Sequence, residues 1–342
     1  MTPLKDLWKK CSSSKLFWPI LSLLLIMLFN LLVNPSFFNI EMKEGHLYGS
    51  LIDVLNRGTP LMLLAIGMTL VLATGGVDLS VGPVIAITGA VAAYLIGSDI
   101  GVTHTPFFLV ILTAIGAALL AGLWNGILVS RAGIQPIIAT LILLGAGRGL
   151  AQMITQGQIL NVYYKPFDFI GAGFLLLPFP VYIVTIVVIL VWLLTRKTAV
   201  GLFIESIGIN TSSSFYSGIS EKNIKLLVYV ISGLCAGIAG LILASNIRSA
   251  DANNVGLFIE MDAILAAVIG GTSLAGGRFS LAGSILGALI IQSLTTTILS
   301  VGVPPQVISL IKALVVLAVS LLQSPDFRNI VFGRLVKKGA LS

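Results

Sequence analysis

Long apolar runs alternate along the chain with short polar interruptions. About 20 mostly apolar residues are enough for a helix to cross a bilayer. Ten such segments are drawn here, near residues 17–34, 52–73, 82–98, 107–130, 134–154, 175–195, 223–245, 260–274, 280–300 and 305–323. Those at 52–73 and 260–274 are the least regular: each ends at a glycine pair, and the second is short. The pattern predicts an all-α protein, a polytopic transmembrane helix bundle of about ten spans. A polar N-terminal tail at 1–16 precedes the transmembrane domain at 17–323, and a C-terminal tail follows at 324–342.

Composition supports that reading. The 342 residues are 57% hydrophobic and only 10% charged, whereas a soluble domain is about a quarter charged. The 36 glycines suit helices whose backbones approach closely, as do the spaced pairs Gly122/Gly126, Gly233/Gly237 and Gly283/Gly287, within a bundle or across a dimer. Cys11 and Cys235 lie in unlike surroundings and predict no disulfide framework.

Charge then orients the spans. The net charge of +7 reads as topology rather than nucleic-acid binding, because Lys and Arg gather on the cytoplasmic side. Lys5, Lys9, Lys10 and Lys15 precede the first apolar run, and no small-residue cleavage site follows it, which predicts an uncleaved first helix. An even span count returns both termini to the cytoplasm. Arg131, Arg278, the loop 195–223 and the tail residues Arg328, Arg334, Lys337 and Lys338 then lie inside. The outer loops carry Lys43, Arg57, Lys165 and Arg248, and also most of the acids: Glu41, Glu44, Asp99, Asp168 and Asp251.

Two sections interrupt the pattern. The loop Thr195–Asn223 mixes polar residues with Phe203, Ile204, Ile207, Phe215 and Tyr216. It predicts a short amphipathic helix outside the bilayer, either a plain connector or a docking surface for a cytoplasmic protein. The section 251–279 places Glu260 and Asp262 at the head of a span, where acids favour the first helical turn.

The sharpest feature is a pair of glycine-rich breaks, "GGVDLSVG" at 75–82 and "GGTSLAGG" at 270–277. Paired Gly-interrupted hydrophobic segments mark a transporter's pathway, because a broken helix leaves polar backbone ends inside the protein. The pathway candidates are Gly75, Gly76, Asp78, Ser80, Gly270, Gly271, Thr272 and Ser273. Asp78 is expected to cap the next helix by accepting from N–H groups near Val81–Gly82, with Ser80 a second acceptor. The alternative is a tight cytoplasmic turn with an ordinary capping aspartate.

Several chemistries are missing. No G-x-x-x-x-G-K-[ST] loop is present to cradle nucleotide phosphates. The histidines are His46 and His104 alone, both in expected outer loops, and no cluster has metal-ligand spacing. No residue is therefore assigned a catalytic or metal role. Two basic residues fall inside apolar segments. Arg148, flanked by glycines, is expected to face a cavity, and Lys312 to reach outward. No acid deep in a span offers to pair with either, which weakens an ion-coupled secondary sugar transporter without closing that alternative. A membrane scaffold without transport is a third reading.

Four stretches in order, "TGGVDLSVG" (74–82), "TAVGLFIESIGINTSSSFYSGI" (198–219), "EMDAILAAVIGGTSLAGGRFS" (260–280) and "IKALVVLAVSLL" (311–322), resemble the permease subunits of ribose/galactose-type sugar ABC importers. "AGLWNGILV" (121–129), "ATLILLGAGRGLAQ" (139–152) and "IRSADANN" (247–254) are similar to the galactofuranose importers of gammaproteobacteria. The resemblance implies a multi-pass inner-membrane subunit that translocates a monosaccharide, galactofuranose. It implies a cytoplasmic ABC ATPase with two nucleotide-binding modules, a second related permease forming a heterodimer, and a periplasmic sugar-binding protein. ATP and Mg would sit on the ATPase, and this chain would hold no cofactor. Ile209, Asn210, Phe215, Ser217, Gly218 and Ile219 would form the ATPase-coupling loop. Arg248, Asp251, Asn253 and Asn254 would dock the binding protein. The "TSSSFYSGI" section departs from the small, Ala-rich residues common in relatives, so ATPase contacts would differ there.

Overall fold

The computed structural model describes residues 16–43, 45–97, 105–174 and 176–323. Both tails, apart from Leu16, lie outside these residues, as do Cys11, Glu44, Asp99 and His104. Each of the ten apolar segments is a helix: α1 (Phe17–Val33), α2 (Ser50–Ala73), α3 (Val81–Ile96), α4 (Phe107–Ser130), α5 (Pro136–Thr155), α7 (Phe179–Lys197), α10 (Glu221–Ile247), α11 (Ile259–Ile269), α12 (Leu281–Ser300) and α13 (Pro305–Gln323). Among the described residues there are three further short α-helices, α6 (Lys165–Gly171), α8 (Val200–Ile209) and α9 (Thr211–Tyr216), and a 3-10 turn at Pro35–Phe38. The loop expected to hold one amphipathic helix therefore holds two.

Among the described residues six helices, α2, α4, α5, α7, α10 and α12, are long and apolar enough to cross a membrane by length and composition. The protein is thus an all-α, multi-pass membrane protein. The segment expected as a span at 260–274 is the clearest departure. Its helix α11 stops at Ile269 after 11 residues, about 16 Å, roughly half the hydrocarbon core of ~30 Å.

Helix α10 is the centre of the bundle and packs against α2, α3 and α4. Small residues allow this. A Cβ at Gly233 would lie 2.8 Å from the Gly122 Cα, and one at Gly240 would lie 2.8 Å from the Ile85 carbonyl oxygen. Gly283 and Gly287 likewise seat α12 on the Gly270 and Ala266 backbone of α11. All three spaced glycine pairs therefore serve packing within the chain. Helix α2 is buried throughout from Gly58 to Ala73, whereas α4, α5 and α7 present Leu120, Leu141, Leu190 and Trp192 outward, as a lipid environment favours. The antiparallel pair Leu160–Asn161 and Ser249–Ala250 ties the chain beyond α5 to the chain beyond α10.

Candidate translocation site

Helix α2 ends in a Schellman motif. The Gly76 N–H donates to the Val71 carbonyl (3.1 Å) and the Gly75 N–H to that of Leu72 (2.8 Å), with Gly75 at φ 77°, where a side chain would be strained. The chain then returns. Ser232 of α10 lies against Gly67 of α2, whose Cβ would be 2.9 Å from the Ser232 Cα, and Ser232 Oγ also donates to Asp78 Oδ2 at 2.7 Å. Asp78 therefore sits level with Gly67, six residues or about 9 Å short of the end of α2. Ser232 is eleven residues into the 27-residue α10, close to the middle of that helix.

Asp78 is 1% exposed. Its Oδ1 accepts from the Ser80 N–H (3.0 Å) and hydroxyl (2.7 Å). It does not accept from Val81 or Gly82. That expectation fails because Ser80 is the N-cap of α3, and Asp78, two residues earlier, folds onto Ser80 and reaches across to α10. The Ser80 hydroxyl makes no cap bond either; it accepts from Asn125 Nδ2 at 2.7 Å. Tyr229 Oη of α10 donates to the Val77 carbonyl at 3.3 Å and Thr140 Oγ1 of α5 at 3.5 Å, so this carbonyl is satisfied by side chains of α5 and α10.

The second break repeats the helix ending but not the register. The Thr272 N–H donates to Ala267 (3.0 Å) and Gly271 to Val268 (2.8 Å), with Gly271 at φ 88°. Gly75 is thus equivalent to Gly271, one residue off the sequence match that sets it against Gly270. Ser280, unlike Ser80, caps its helix by accepting from the Gly283 N–H (3.1 Å). Thr272 contacts Ser284 Oγ (3.4 Å), which accepts from Thr69 of α2 at 2.6 Å. Ser273 Oγ accepts from the Ala275 N–H at 3.2 Å, on the exposed rim.

The two breaks touch. The Gly277 N–H donates to the Ala73 carbonyl at 2.9 Å, and Gly208 of α8 lies on both. Next to it, Ile209 and Phe215 are 74% and 70% exposed. Asn210 caps α9 through Oδ1 to the Ser213 N–H, 2.9 Å, and Gly218, at φ 81°, turns the chain after Ser217. Ile219 points the other way and packs against the chain's own core.

The four residues assigned to docking share one stretch. Asp251 accepts from the N–H groups of Asn253 (2.9 Å) and Asn254 (3.2 Å) and from Asn254 Nδ2 (2.8 Å). Burial pushes its carboxyl up, but these bonds and the field of Arg148 outweigh that and hold it below its ordinary value. Arg248 stands apart, its Nε 3.4 Å from Asp168 Oδ2.

A cavity of about 430 Å³ opens where α3, α5 and the start of α11 meet, lined by Arg148, Gln152, Phe258, Glu260 and the glycines 145 and 149. Arg148 Nη1 donates to the carbonyls of Ala252 (3.1 Å) and Val255 (2.7 Å), holding the segment that leads into α11. Arg148 faces a cavity as expected, but it does have an acid nearby in Glu260. Lys312 does not reach outward: its Nζ lies 2.8 Å from Asp262 Oδ2, with both side chains about one-fifth exposed (18% and 23%).

The comparisons with known proteins bear on this arrangement directly. The family described as "Branched-chain amino acid transport system / permease component" matches residues 50–320. The chain belongs to this permease family. It is 52% identical over 322 residues to the galactofuranose transporter permease protein of Escherichia coli, covering 92% of this chain and 93% of that one. It is 41% identical to the fructose import permease protein of Bifidobacterium longum (94% and 91% covered). It is 34% identical to the ribose import permease protein of Haemophilus influenzae (84% and 86%). The permease is a transport subunit and not an enzyme.

Three features of the permease escape a sequence reading. Glu260 and Asp262 are first-turn acids, as expected, but each also faces a basic residue from a distant helix. Two lone acids and two lone bases in apolar segments were the available signal. Phe258, at φ 61°, carries no signal, since the left-handed region is rarely occupied by an aromatic residue.

Proposed function

We propose that the chain is the membrane-spanning permease of an ATP-driven sugar importer and that it translocates galactofuranose delivered by a periplasmic binding protein. The observation that carries this reading is the 52% identity, along nearly the whole chain, with a galactofuranose transporter permease. Fructose and ribose import permeases at lower identity support a monosaccharide more broadly.

Ten spans with both ends cytoplasmic is the topology we adopt, with the short α3 and α11 as half-spans beside the pathway. It puts the loop 195–223 on the cytoplasmic side, with Ile209, Asn210, Phe215, Ser217 and Gly218 against an ABC ATPase carrying two nucleotide-binding modules and Ile219 turned onto the permease's own core. ATP and Mg bind there and not on this chain. The opposite face, with Arg248, Asp251, Asn253 and Asn254, meets the binding protein. A related second permease completes a heterodimer in the inner membrane. The residues at the breaks (Gly75, Gly76, Asp78, Ser80, Gly270, Gly271, Thr272 and Ser273) and Arg148 frame the pathway. The tails 1–16 and 324–342 are cytoplasmic.

The test is uptake of labelled galactofuranose by vesicles containing the permeases, the ATPase and the binding protein. Uptake should require ATP, stop with vanadate and survive an uncoupler. Collapse with the uncoupler while ATP is held constant would overturn the reading in favour of ion coupling.

A further inference from the structure

Glu260 is only 7% exposed, and among the described residues no side chain donates a hydrogen bond to its carboxylate. Its carboxylate opens on a cavity and keeps acceptor capacity for whatever enters. It lines the cavity beside Arg148 and Gln152. The cavity's volume, about 430 Å³, lies within the ~300–1,000 Å³ usual for small-molecule clefts.

Three further observations bear on what enters. Arg148 commits Nη1 to carbonyl groups, and its Nε and Nη2 make no hydrogen bond among the described residues, so donors remain. Phe258, 66% exposed, presents its ring from a left-handed backbone at φ 61°, a strained state for an aromatic residue that persists where a site demands it. Gly145 and Gly149 sit in mid-helix, where glycine weakens a helix, yet a Cβ at either would meet nothing within 4 Å. Their missing side chains keep the cavity open.

We propose that this cavity is a transient binding site for the neutral sugar in transit, with Phe258 as its apolar platform and Arg148, Gln152 and Glu260 as its hydrogen-bonding walls. A sugar ring offers a C–H face to the phenyl ring and hydroxyls that both donate and accept. One guanidinium and one carboxylate leave the site without net charge, which suits a neutral polyol better than an anion or a cation. A lipid acyl chain would leave both charges unsatisfied. The inference rests on the sugar-import reading above.

The test uses the assembled transporter in proteoliposomes with saturating, sugar-loaded binding protein. Gly149→Leu adds a side chain that starts in open space and improves helix propensity. Phe258→Gly removes the ring while relaxing the backbone. Both should keep or raise thermal stability, leave the half-saturating concentration of binding protein unchanged, and slow sugar uptake at least tenfold. Uptake at the wild-type rate in either variant overturns the assignment alone. A wild-type transporter that takes up no sugar overturns the sugar-import reading and this inference with it.

Discussion

The Gly277 N–H donates to the Ala73 carbonyl oxygen at 2.9 Å, joining the two glycine breaks by backbone alone. Gly208, at the end of the first helix of the loop between α7 and α10, is wedged onto this bond. A Cβ there would lie 2.3 Å from the Gly277 nitrogen and would overlap the Ala73 oxygen. Ile209, the next residue, is exposed toward any docked partner. A push on that loop therefore meets both breaks with no flexible side chain between.

Gly208→Ala should pry the junction apart. Overpacking of this kind costs about 1–3 kcal/mol, read as a lower thermal midpoint, and sugar moved per ATP hydrolysed should fall with it. Gly116→Ala is the contrast, because a Cβ there meets nothing within 4 Å and helix propensity favours alanine by ~1 kcal/mol. Equal effects of the two substitutions would refute the junction.

Asp78 holds Ser80 and Ser232 together in the interior. Asp78→Ala leaves two buried hydroxyls and an N–H without their acceptor, at about 1–3 kcal/mol, so membrane abundance should drop. Asp78→Asn keeps one acceptor for Ser80, and the Ser232 hydroxyl can turn to accept from the amide, so most transport should remain. A fully abundant but inactive Asp78→Asn protein would instead make the carboxylate a proton carrier.

How far the sequence reaches can be seen at these same residues. Apolar run length located all ten helical segments, because each must hide its backbone in an apolar surrounding whatever its neighbours are, but it overestimated the one at 260–274, which is only 11 residues long. It also located both breaks, since Gly75 and the pair at 270–271 are local signals. What Asp78 bonds was not legible, because Ser232 lies 154 residues away and its hydroxyl competes with the nearby N–H groups. The match between the breaks misled by one residue for a related reason. A Schellman ending needs one left-handed residue, and a doubled glycine does not say which of the two supplies it. The pair Lys312–Asp262, from helices 50 residues apart, depends wholly on packing.

That pair gives a reciprocal test. Asp262→Asn leaves the Lys312 ammonium partly buried without its carboxylate, and Lys312→Met strands the acid, so each should lower abundance. Exchanging the charges, Asp262→Lys with Lys312→Asp, should recover most of the loss. A double-mutant cycle on thermal stability measures the coupling, and additive effects would mean the two side chains do not interact.

Arg248 is 67% exposed at the side chain, and its bond to Asp168 is long. Arg248→Glu should therefore change stability by less than about 1 kcal/mol. Rim charges govern encounter more than affinity, so the concentration of binding protein at half-maximal uptake should rise and become less sensitive to salt. If uptake falls equally at saturating binding protein, Arg248 acts in gating instead.

Phe215 and Ile219, four residues apart, separate docking from packing. Phe215 is 70% exposed and contacts Tyr216 edge-on, ring centroids 5.9 Å apart. Ile219 is turned into the core formed by α2, α8 and α10. Phe215→Asp should leave the permease folded and abundant, since the aspartate is solvated. Losing an aromatic anchor from a protein interface costs over ~2 kcal/mol, about thirtyfold in affinity. Copurification of the ATPase and ATP-driven uptake should therefore fall together. Ile219→Asp puts a charge on a half-buried residue packed against that core, and should lower abundance before any effect on ATPase binding can be read. Normal uptake by Phe215→Asp at wild-type abundance would remove this residue from the docking surface, whereas a loss of abundance in both variants would make the whole loop part of the fold.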